Sequence, residues 1–338
     1  MRISKIKYLF FSVIVVVICL INCKVKLFPI NIESCISEKS VCTFCIMTFN
    51  VNAYDTVSFT RQFQDSLFAE IHRQTPDIIC FQELSSENLK KITPRLDSIY
   101  GPCAELDGRD VEVHRGKFYS NFTMRNFRRY HCEGTIDTSD FDSLELKEYE
   151  IMRKQMDVMS AEFEVQPSKW ITIFSGHLRS SAYSTARRSM SKDSHWWEGI
   201  PLYFRNYKVG KRIREYQARN VRRFIDKARA EGKTVIVAGD LNDWCGSTTL
   251  NTLMDEGENA LKDAWWECGN GFGFTYQGWH LRLRLDHILY SDGLKLNDVK
   301  VIDSNLSDHR PLKASFALSD KNRSFIFTIY VTNTNLNI

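Results

Sequence analysis

The sequence has no large excess of charge of either sign. Its 338 residues include 45 lysines and arginines against 41 aspartates and glutamates, which gives a formal net charge of +4. An excess this small gives no argument, by itself, for binding nucleic acid. Any recognition of a polyanion must therefore depend on local groups of basic residues.

Zinc-type ligand clusters, internal repeats and low-complexity segments are also lacking. With 43% hydrophobic and 25% charged residues, the composition is that of an ordinary globular protein. Cys42 and Cys45 form one Cys-x-x-Cys pair, but no second pair stands at zinc spacing. This argues against a structural zinc site, and we interpret the two cysteines as partly buried thiols at the start of a strand. Cys80 lies inside an apolar run, and we interpret it as a packing residue.

The apolar run near the start of the chain is too short to be a spanning helix. Basic residues precede apolar residues 8–21, whereas a spanning helix needs about 20 apolar residues. A basic start followed by a short apolar run is typical of a secretory signal. The segment Leu20-Ile21-Asn22-Cys23 resembles the lipobox of bacterial lipoproteins, in which the cysteine is acylated, although Asn22 departs from the small residue usual there. We predict export to the cell envelope or secretion; membrane anchoring through acylated Cys23, a cleaved soluble form and a retained anchor remain alternatives.

The chain divides into four predicted segments. Residues 1–23 are a signal peptide or lipoprotein signal, 24–43 a tether without pattern, 44–318 one folded domain, and 319–338 a tail to which we assign no role. Eight cysteines follow Cys23. Some can pair in an oxidising compartment, but the sequence does not give the connectivity.

Within the domain, apolar runs end on polar residues that can do chemistry. Amphipathic segments with helical spacing lie between these runs, notably 61–73 and 211–229, so the alternation indicates an α/β class. Strand ends on one edge of a sheet converge in space, so such residues can share a pocket. The strand-like runs are residues 46–52, 77–83, 170–178 and 234–240.

Three further stretches carry arginines or aromatic residues. We interpret 101–149 as loops with edge strands, and 179–210 as an irregular stretch whose clustered aromatic residues wall a substrate site. Residues 211–229 have an apolar face, and we predict that their arginines lie mostly on the opposite, solvated face, with nucleic-acid contact as the less favoured alternative. These arginines are Arg212, Arg214, Arg219, Arg222, Arg223 and Arg229, and the aromatic residues are Trp196, Trp197, Tyr203, Phe204 and Tyr207.

The strand-end residues are of the types that bind divalent cations or transfer protons. Hard cations such as Mg²⁺ or Mn²⁺ prefer oxygen ligands, and a cation bound here would neutralise charge on a phosphate and on its leaving oxygen. Histidine can donate to the non-bridging oxygens or move a proton, while a carboxylate fixes its tautomer. The pattern therefore predicts hydrolysis at phosphorus. The residues are Asn50, Glu83, His177, Asp240, Asn242, Asp286, His287, Asp308 and His309.

Six short motifs together resemble the endonuclease/exonuclease/phosphatase superfamily of metal-dependent phosphoesterases. They occur in the family's order between about residues 44 and 318, and the overall look is similar to exported bacterial members. The resemblance implies an α/β fold, a four-layer sandwich of two packed mixed β-sheets flanked by helices. The motifs are Met47-Thr48-Phe49-Asn50, Cys80-Phe81-Gln82-Glu83-Leu84, Ser175-Gly176-His177-Leu178, Gly239-Asp240-Leu241-Asn242, Arg284-Leu285-Asp286-His287-Ile288-Leu289 and Ser307-Asp308-His309-Arg310-Pro311.

The resemblance also implies a role for each motif residue. Glu83 would be the principal ligand of Mg²⁺ or Mn²⁺, with Asn50 beside it and Asp308 as a further ligand. Asp240 would position or deprotonate the attacking water, and Asn242 would hold the phosphate. His309, backed by Asp286, would be a general base or a phosphate clamp. His177 would stabilise the phosphate or protonate the leaving group.

One motif position departs from the family. His287 replaces the aromatic residue more usual after the aspartate, and we interpret it as a half-buried strand residue rather than a catalytic one.

The substrate is the least determined feature. A phosphodiester is the leading expectation, with nucleic acid ahead of a phospholipid headgroup; an envelope phospholipid phosphodiesterase or phosphomonoesterase is the alternative, and a non-catalytic surface binding protein is the alternative of another class. We expect a monomer. Loop arginines could contact a phosphate backbone or a single headgroup, or could simply be solvated. They are Arg125, Arg128, Arg129, Arg179, Arg187 and Arg188.

Overall fold

A computed structural model describes most of the predicted domain. The described residues are 43–53, 57–101, 116–131, 136–153, 157–181, 199–277 and 282–319. The predicted signal with Cys23, all of the tether except Thr43 and nearly all of the tail lie outside these ranges, as do Cys42, Arg187, Arg188, Trp196 and Trp197. No helix in the described ranges is long and apolar enough to cross a membrane.

Two mixed β-sheets form the centre of the domain. One contains β1 (Thr43–Ala53), β2 (Ile78–Leu84), β3 (Gly116–Ser120), β10 (Leu294–Val301) and β11 (Leu312–Leu318), in the order β10-β11-β1-β2-β3. The other contains β4 (Met124–His131), β5 (Asp157–Gln166), β6 (Lys169–His177), β7 (Thr234–Asp240), β8 (Lys262–Asp263) and β9 (Asp286–Tyr290), in the order β4-β5-β6-β7-β9-β8. In each sheet one central pair is parallel, β1 with β2 and β6 with β7, and its neighbours are antiparallel.

Apolar side chains alternate between the two faces of the central strands. Phe44 and Ile46 of β1 pack between the sheets, whereas Met47 and Phe49 pack on the outer face. Successive side chains of a strand point to opposite faces, so a strand covered on both sides reads as a nearly continuous apolar run. This explains why the sequence shows unbroken apolar runs rather than strict alternation.

Helices cover both outer faces. Helices α1 (Arg61–Gln74) and α2 (Ser86–Tyr100) pack on the five-stranded sheet. On the six-stranded sheet lie α3 (Ser143–Met152), α4 (Gly199–Ala230) and α5 (Thr248–Met254), and the short α6 (Ala264–Cys268) lies against β9 and β10. The order helix, sheet, sheet, helix makes four layers. The predicted fold class is therefore confirmed.

The interpretation of 179–210 as irregular was wrong for its last twelve residues, 199–210. Helix α4 begins at Gly199 and runs for 32 residues. Gly210 lowers the helical propensity of this segment, but a side chain there would come within 3.0 Å of Ser181 Cα, so the glycine lets the loop pack closely on the helix. Tertiary packing therefore overrides the local signal. The interpretation of 101–149 also missed α3, although β3 and β4 lie where edge strands were predicted.

The solvated basic face of α4 was also only partly right. Arg219 and Arg223 are exposed, but Arg214 and Arg222 are buried. Each buried guanidinium contacts a carboxylate and at least one backbone carbonyl oxygen, and such partners reduce the cost of removing its charge from water. Charge alone therefore did not identify which side of the helix faces solvent.

The cysteines in the described ranges differ in state. Cys45 is half-buried, and its thiol donates to Asp77 Oδ2 over 3.3 Å, while Cys80 is fully buried. These observations agree with the interpretation of Cys45 as a partly buried thiol at the start of a strand and of Cys80 as a packing residue. Cys268, by contrast, is disulfide-bonded.

Candidate active site

The strand ends bring five of the predicted residues together at one edge of the two sheets. His177 ends β6, and Asp240 ends the neighbouring parallel strand β7 directly opposite it. Asp286 begins β9, which runs antiparallel to β7 and pairs Asp286 with Asp240. Asn50 of β1 and Glu83 of β2 reach the same edge from the other sheet.

Asp240 is at the centre of this group and is almost fully buried. Its Oδ2 accepts a hydrogen bond from Asn50 Nδ2 over 2.9 Å and lies 3.6 Å from the Nε2 atoms of both His177 and His309. Its Oδ1 accepts from the backbone N–H of Asn242 over 2.9 Å. Burial, together with the charge of Asp286, raises the pKa of Asp240 to about 6 against the opposing effect of the two histidines.

His309 is held by a buried carboxylate. Its Nδ1 lies 2.7 Å from Asp286 Oδ2, and the backbone N–H of Asp286 donates to Thr275 Oγ1 over 3.0 Å. Burial by itself lowers the pKa of His309, but the charges of Asp286 and Asp240 outweigh it and raise the pKa to about 10. His309 is therefore a cation at neutral pH. Its Nε2 lies 3.6 Å from Asp240 Oδ2.

Three residues around the site have left-handed backbone conformations that are uncommon outside glycine. Glu83 has φ +56°, Asn52 +47° and Asn242 +51°. Such conformations persist only where the surrounding structure fixes them, and they cluster at functional sites. Glu83 Oε1 lies 3.3 Å from His177 Nε2, which places this carboxylate in the same group as Asp240.

Asp308 and Asn242 are oriented by contacts that the sequence did not reveal. Asn52 Nδ2 donates to Asp308 Oδ1 over 3.0 Å, and Asn242 Nδ2 donates to the carbonyl oxygen of Leu178 over 3.0 Å. Asn52 could have been suspected, because it is a polar residue just after Asn50. A backbone acceptor such as Leu178 leaves no signal in a sequence.

A model of the endonuclease/exonuclease/phosphatase family matches residues 47–309, which is most of the chain. The chain belongs to this family. It is accordingly an enzyme of the phosphoesterase class. No curated protein matches the sequence.

Solved structures of other family members show the same fold. One is an endonuclease/exonuclease/phosphatase family protein from Bacteroides thetaiotaomicron, 16% identical, with TM-score 0.56 over 82% of this chain and 98% of that chain. The human Nocturnin catalytic domain with bound sulfate anion is 15% identical, with TM-score 0.55 over 82% and 94%. TDP2 of D. rerio complexed with single strand DNA product is 17% identical, with TM-score 0.57 over 81% and 99%.

The donor set of this phosphoesterase fits a divalent cation. Ligand atoms of Glu83, His177 and Asp240 lie within 4.8 Å of one another, as do those of Asp240, Asp286 and His309. Asp286 Oδ1 is buried and has no hydrogen-bond partner, which leaves one acceptor oxygen open at the site. Carboxylate-rich sites of this kind suit a hard cation. Asp308 stands in neither group of the described residues.

His287 lies behind the site rather than in it. It is fully buried in β9, where it was expected to be half-buried. Its Nδ1 lies 3.2 Å from Asp263 Oδ2 and its Nε2 lies 2.9 Å from the carbonyl oxygen of Asp243. Arg284 donates to both oxygens of Asp263. Burial by itself raises the pKa of Asp263, but the positive charge of Arg284 outweighs this effect, so the pKa is lowered. These contacts support the interpretation of His287 as a structural residue.

A glycine next to Asp240 connects fold and site in this phosphoesterase. A methyl group on Gly239 would collide with the carbonyl oxygen of Gly176 on the adjacent strand and would lie 3.0 Å from its amide nitrogen. Backbone atoms cannot move aside as a side chain does, so Gly239→Ala should destabilise the fold by about 1–3 kcal/mol. It should also displace Asp240 and lower the hydrolysis rate. Denaturant unfolding and a rate assay measure the two effects.

Gly176→Ala is the matched control for this prediction. A methyl group there would meet its nearest neighbour, Val158 Cγ2, at 3.5 Å, which is ordinary van der Waals contact. Its free energy of unfolding should therefore change much less than that of Gly239→Ala. Equal losses in the two variants would show that the close approach of β6 and β7 is not the cause.

Proposed function

We propose that this protein hydrolyses a phosphodiester by in-line attack of an activated water. The observation that carries the proposal is the buried carboxylate of Asp240, which Asn50, His177, His309 and Asn242 surround within 3.6 Å. A carboxylate fixed among donors, with an elevated pKa, is the arrangement of a general base rather than of a packing residue.

Mg²⁺ or Mn²⁺ would be held by Glu83, with Asn50 and Asp240 beside it. Bound there, the cation would neutralise negative charge on the phosphate. Asp308, which we also propose as a ligand, is positioned by Asn52 at the margin of the group. A test of these roles must therefore treat Glu83 and Asp308 separately.

The side chains divide the remaining work according to their charge. Asp240 is largely ionised above pH 6 and can take a proton from the attacking water. His309 is a cation at neutral pH, so it acts as a donor to a non-bridging phosphate oxygen rather than as a general base. His177 stabilises the phosphate or protonates the leaving group. Asn242 has a second amide hydrogen, beyond the one given to Leu178, with which to hold the phosphate.

Nucleic acid is our first choice of substrate, and a phospholipid headgroup is the second. The D. rerio TDP2 structure contains a single strand DNA product, and the Nocturnin domain contains a bound sulfate anion, so proteins of this fold bind such groups. The disulfide at Cys268 suits an oxidising compartment and so supports export. Anchoring through Cys23 would hold the protein at a membrane, so a lipid substrate remains our second choice.

The ordered polar cluster argues against a non-catalytic binding protein. Such a cluster costs stability, and a protein that does not use it for catalysis has no reason to keep it. We propose that the protein acts as a monomer.

Purified full-length protein, offered DNA, RNA, sphingomyelin and phosphomonoesters with Mg²⁺ or Mn²⁺, should turn over a diester. Chelation should abolish the activity and added metal should restore it, because hydrolysis needs the cation's charge. Glu83→Gln, which keeps the shape but loses the ligand charge, should be inactive. Asp298→Asn, which alters an exposed carboxylate of β10, should retain the parent rate.

Two results together would contradict the proposal. One is the absence of turnover with every substrate in the panel. The other is binding of Mn²⁺ by Glu83→Gln with the affinity of the parent, measured by calorimetry. Turnover of sphingomyelin but not DNA or RNA would instead establish the second substrate choice.

A further inference from the structure

A buried arginine lies directly behind the active site. Arg214 of α4 is the largest fully buried side chain in the described part of the chain. Its Nε donates to Asp243 Oδ2 over 3.1 Å. Its Nη1 donates to the carbonyl oxygen of Arg179 over 3.0 Å and to Ser181 Oγ over 2.8 Å. One guanidinium thus connects two separate loops to one helix.

Both loops follow directly from proposed catalytic residues. Arg179 is two residues after His177 at the end of β6, and Asp243 is three residues after Asp240 at the end of β7. Strands β6 and β7 are neighbours that pair His177 with Asp240. The contacts of Arg214 therefore connect the segments that follow these two strand ends. Small displacements of these segments would move the groups that must face the same phosphate.

Other contacts bind the same segments to each other. The N–H of Leu178 donates to the carbonyl oxygen of Asp240 over 3.0 Å, and the N–H of Arg179 donates to Gln217 Oε1 of α4 over 2.8 Å. The carbonyl oxygen of Asp243 lies 2.9 Å from Nε2 of His287, the neighbour of Asp286 in β9. The Asp243 loop therefore follows β7 and contacts β9, while Leu178, the residue after β6, is bonded to the end of β7.

The arrangement is poorly explained by stability alone. Removing an arginine and a carboxylate from water costs free energy, and replacing a buried ion pair with apolar residues of similar volume is often neutral or stabilising. The neighbours of Arg214 on the inward side of α4, such as Ile213 and Ala218, are apolar and would accommodate such a replacement. A requirement of the active site explains why the charged pair is present.

We propose that Arg214, through Asp243, is a positioning residue that fixes His177 relative to Asp240 and Asn242. Arg214 does not contact the substrate, and the inference rests on the proposed hydrolytic function. It predicts that removal of the pair lowers kcat without lowering stability.

The test is the double variant Arg214→Met/Asp243→Leu, which removes both charges and leaves no unpaired ion. We expect kcat to fall about 10- to 100-fold, as other misplacements of reacting groups do. KM should change less than threefold, and Tm should be equal to or above that of the parent. A double variant with the parent's kcat would overturn the inference.

Arg222→Met/Asp226→Leu is the matched control on the same helix. Arg222 is also buried, pairs with Asp226 and donates to two carbonyl oxygens, those of Leu253 and Asn259. None of these residues belongs to the strand ends of the site. Its kcat should stay within twofold of the parent, and a loss equal to that of the first variant would show a general effect of α4 and overturn the inference.

A second measurement does not depend on turnover. Amide hydrogen exchange at Leu178 and Arg179 should be at least tenfold faster in Arg214→Met/Asp243→Leu than in the parent, and unchanged in the control. Unchanged exchange in the first variant would overturn the positioning role even if kcat fell. An inactive parent would overturn the proposed function alone, because the exchange result still decides the role of Arg214. If the double variant fails to fold, Arg214→Lys, which keeps the charge but loses the fork of donors, should show the same two effects to a smaller degree.

Discussion

Asp240→Asn should reduce kcat by about 10²- to 10⁴-fold, the range expected on loss of a general base. Asparagine has the shape of aspartate and can still accept the N–H of Asn242, but it cannot take a proton from water. Asp240 is buried, and the Nε2 atoms of His177 and His309 each lie 3.6 Å from its Oδ2. The rate of diester hydrolysis at saturating metal measures this effect.

The same variant should become more stable relative to the parent as the pH rises through about 6. The pKa of Asp240 is raised in the fold to about 6, from an ordinary value near 3.9. The stability that its protonated form contributes is therefore fully present below about pH 3.9 and is lost as the pH rises through about 6. Asparagine is neutral at every pH, as the protonated form is, although its amide nitrogen cannot accept the hydrogen bond from Asn50. Thermal melts of metal-free protein at pH 5 and pH 8 should therefore show Asp240→Asn gaining on the parent at the higher pH. A difference in melting temperature that is the same at both pH values would contradict the raised pKa of Asp240.

The sequence predicted most of the fold and the members of the site because both depend on short local patterns. Strands that end in Asn50, Glu83, His177 and Asp240 carry their own signal, and adjacent parallel strands bring their ends together. Two features had no such signal. Helix α4 starts twelve residues before the predicted one, at Gly199 rather than 211. The burial of Arg214 depends on Asp243 and on two loop acceptors that lie far from it in the chain.

The same reasoning explains which details of the site escaped prediction. The motif predicted Asp308 as a ligand, yet its carboxylate accepts from Asn52, and neither close group of metal-capable side chains includes it. Sequence gives the type of residue at a position, but the direction of a side chain depends on neighbours such as Asn52 with unusual backbone angles. Metal titration of Asp308→Asn, compared with that of Glu83→Gln, measures the contribution of Asp308 to binding the cation.

The pair of His309 and Asp286 gives the second large effect. His309→Gln should lower kcat by about 10²- to 10³-fold, because the charged donor to the developing phosphate charge is lost. Asp286→Asn keeps the histidine but removes the charge that most raises its pKa. In that variant burial should bring the pKa of His309 down, so the activity should decline at a lower pH on the alkaline side than in the parent. The pH dependence of kcat for the parent and Asp286→Asn measures this change.

The pH dependence of stability gives an independent check on the charge of His309. The pKa of His309 rises from an ordinary value near 6.5 to about 10 in the fold. The stability contributed by the protonated ring is therefore fully present below about pH 6.5 and is lost as the pH rises through about 10. The parent should lose stability over this interval, and His309→Gln should lose much less. Parallel losses in the two proteins, measured by denaturant unfolding between pH 6.5 and 10, would mean that His309 is neutral in the fold, and it would then have to act as a base rather than as a cationic donor.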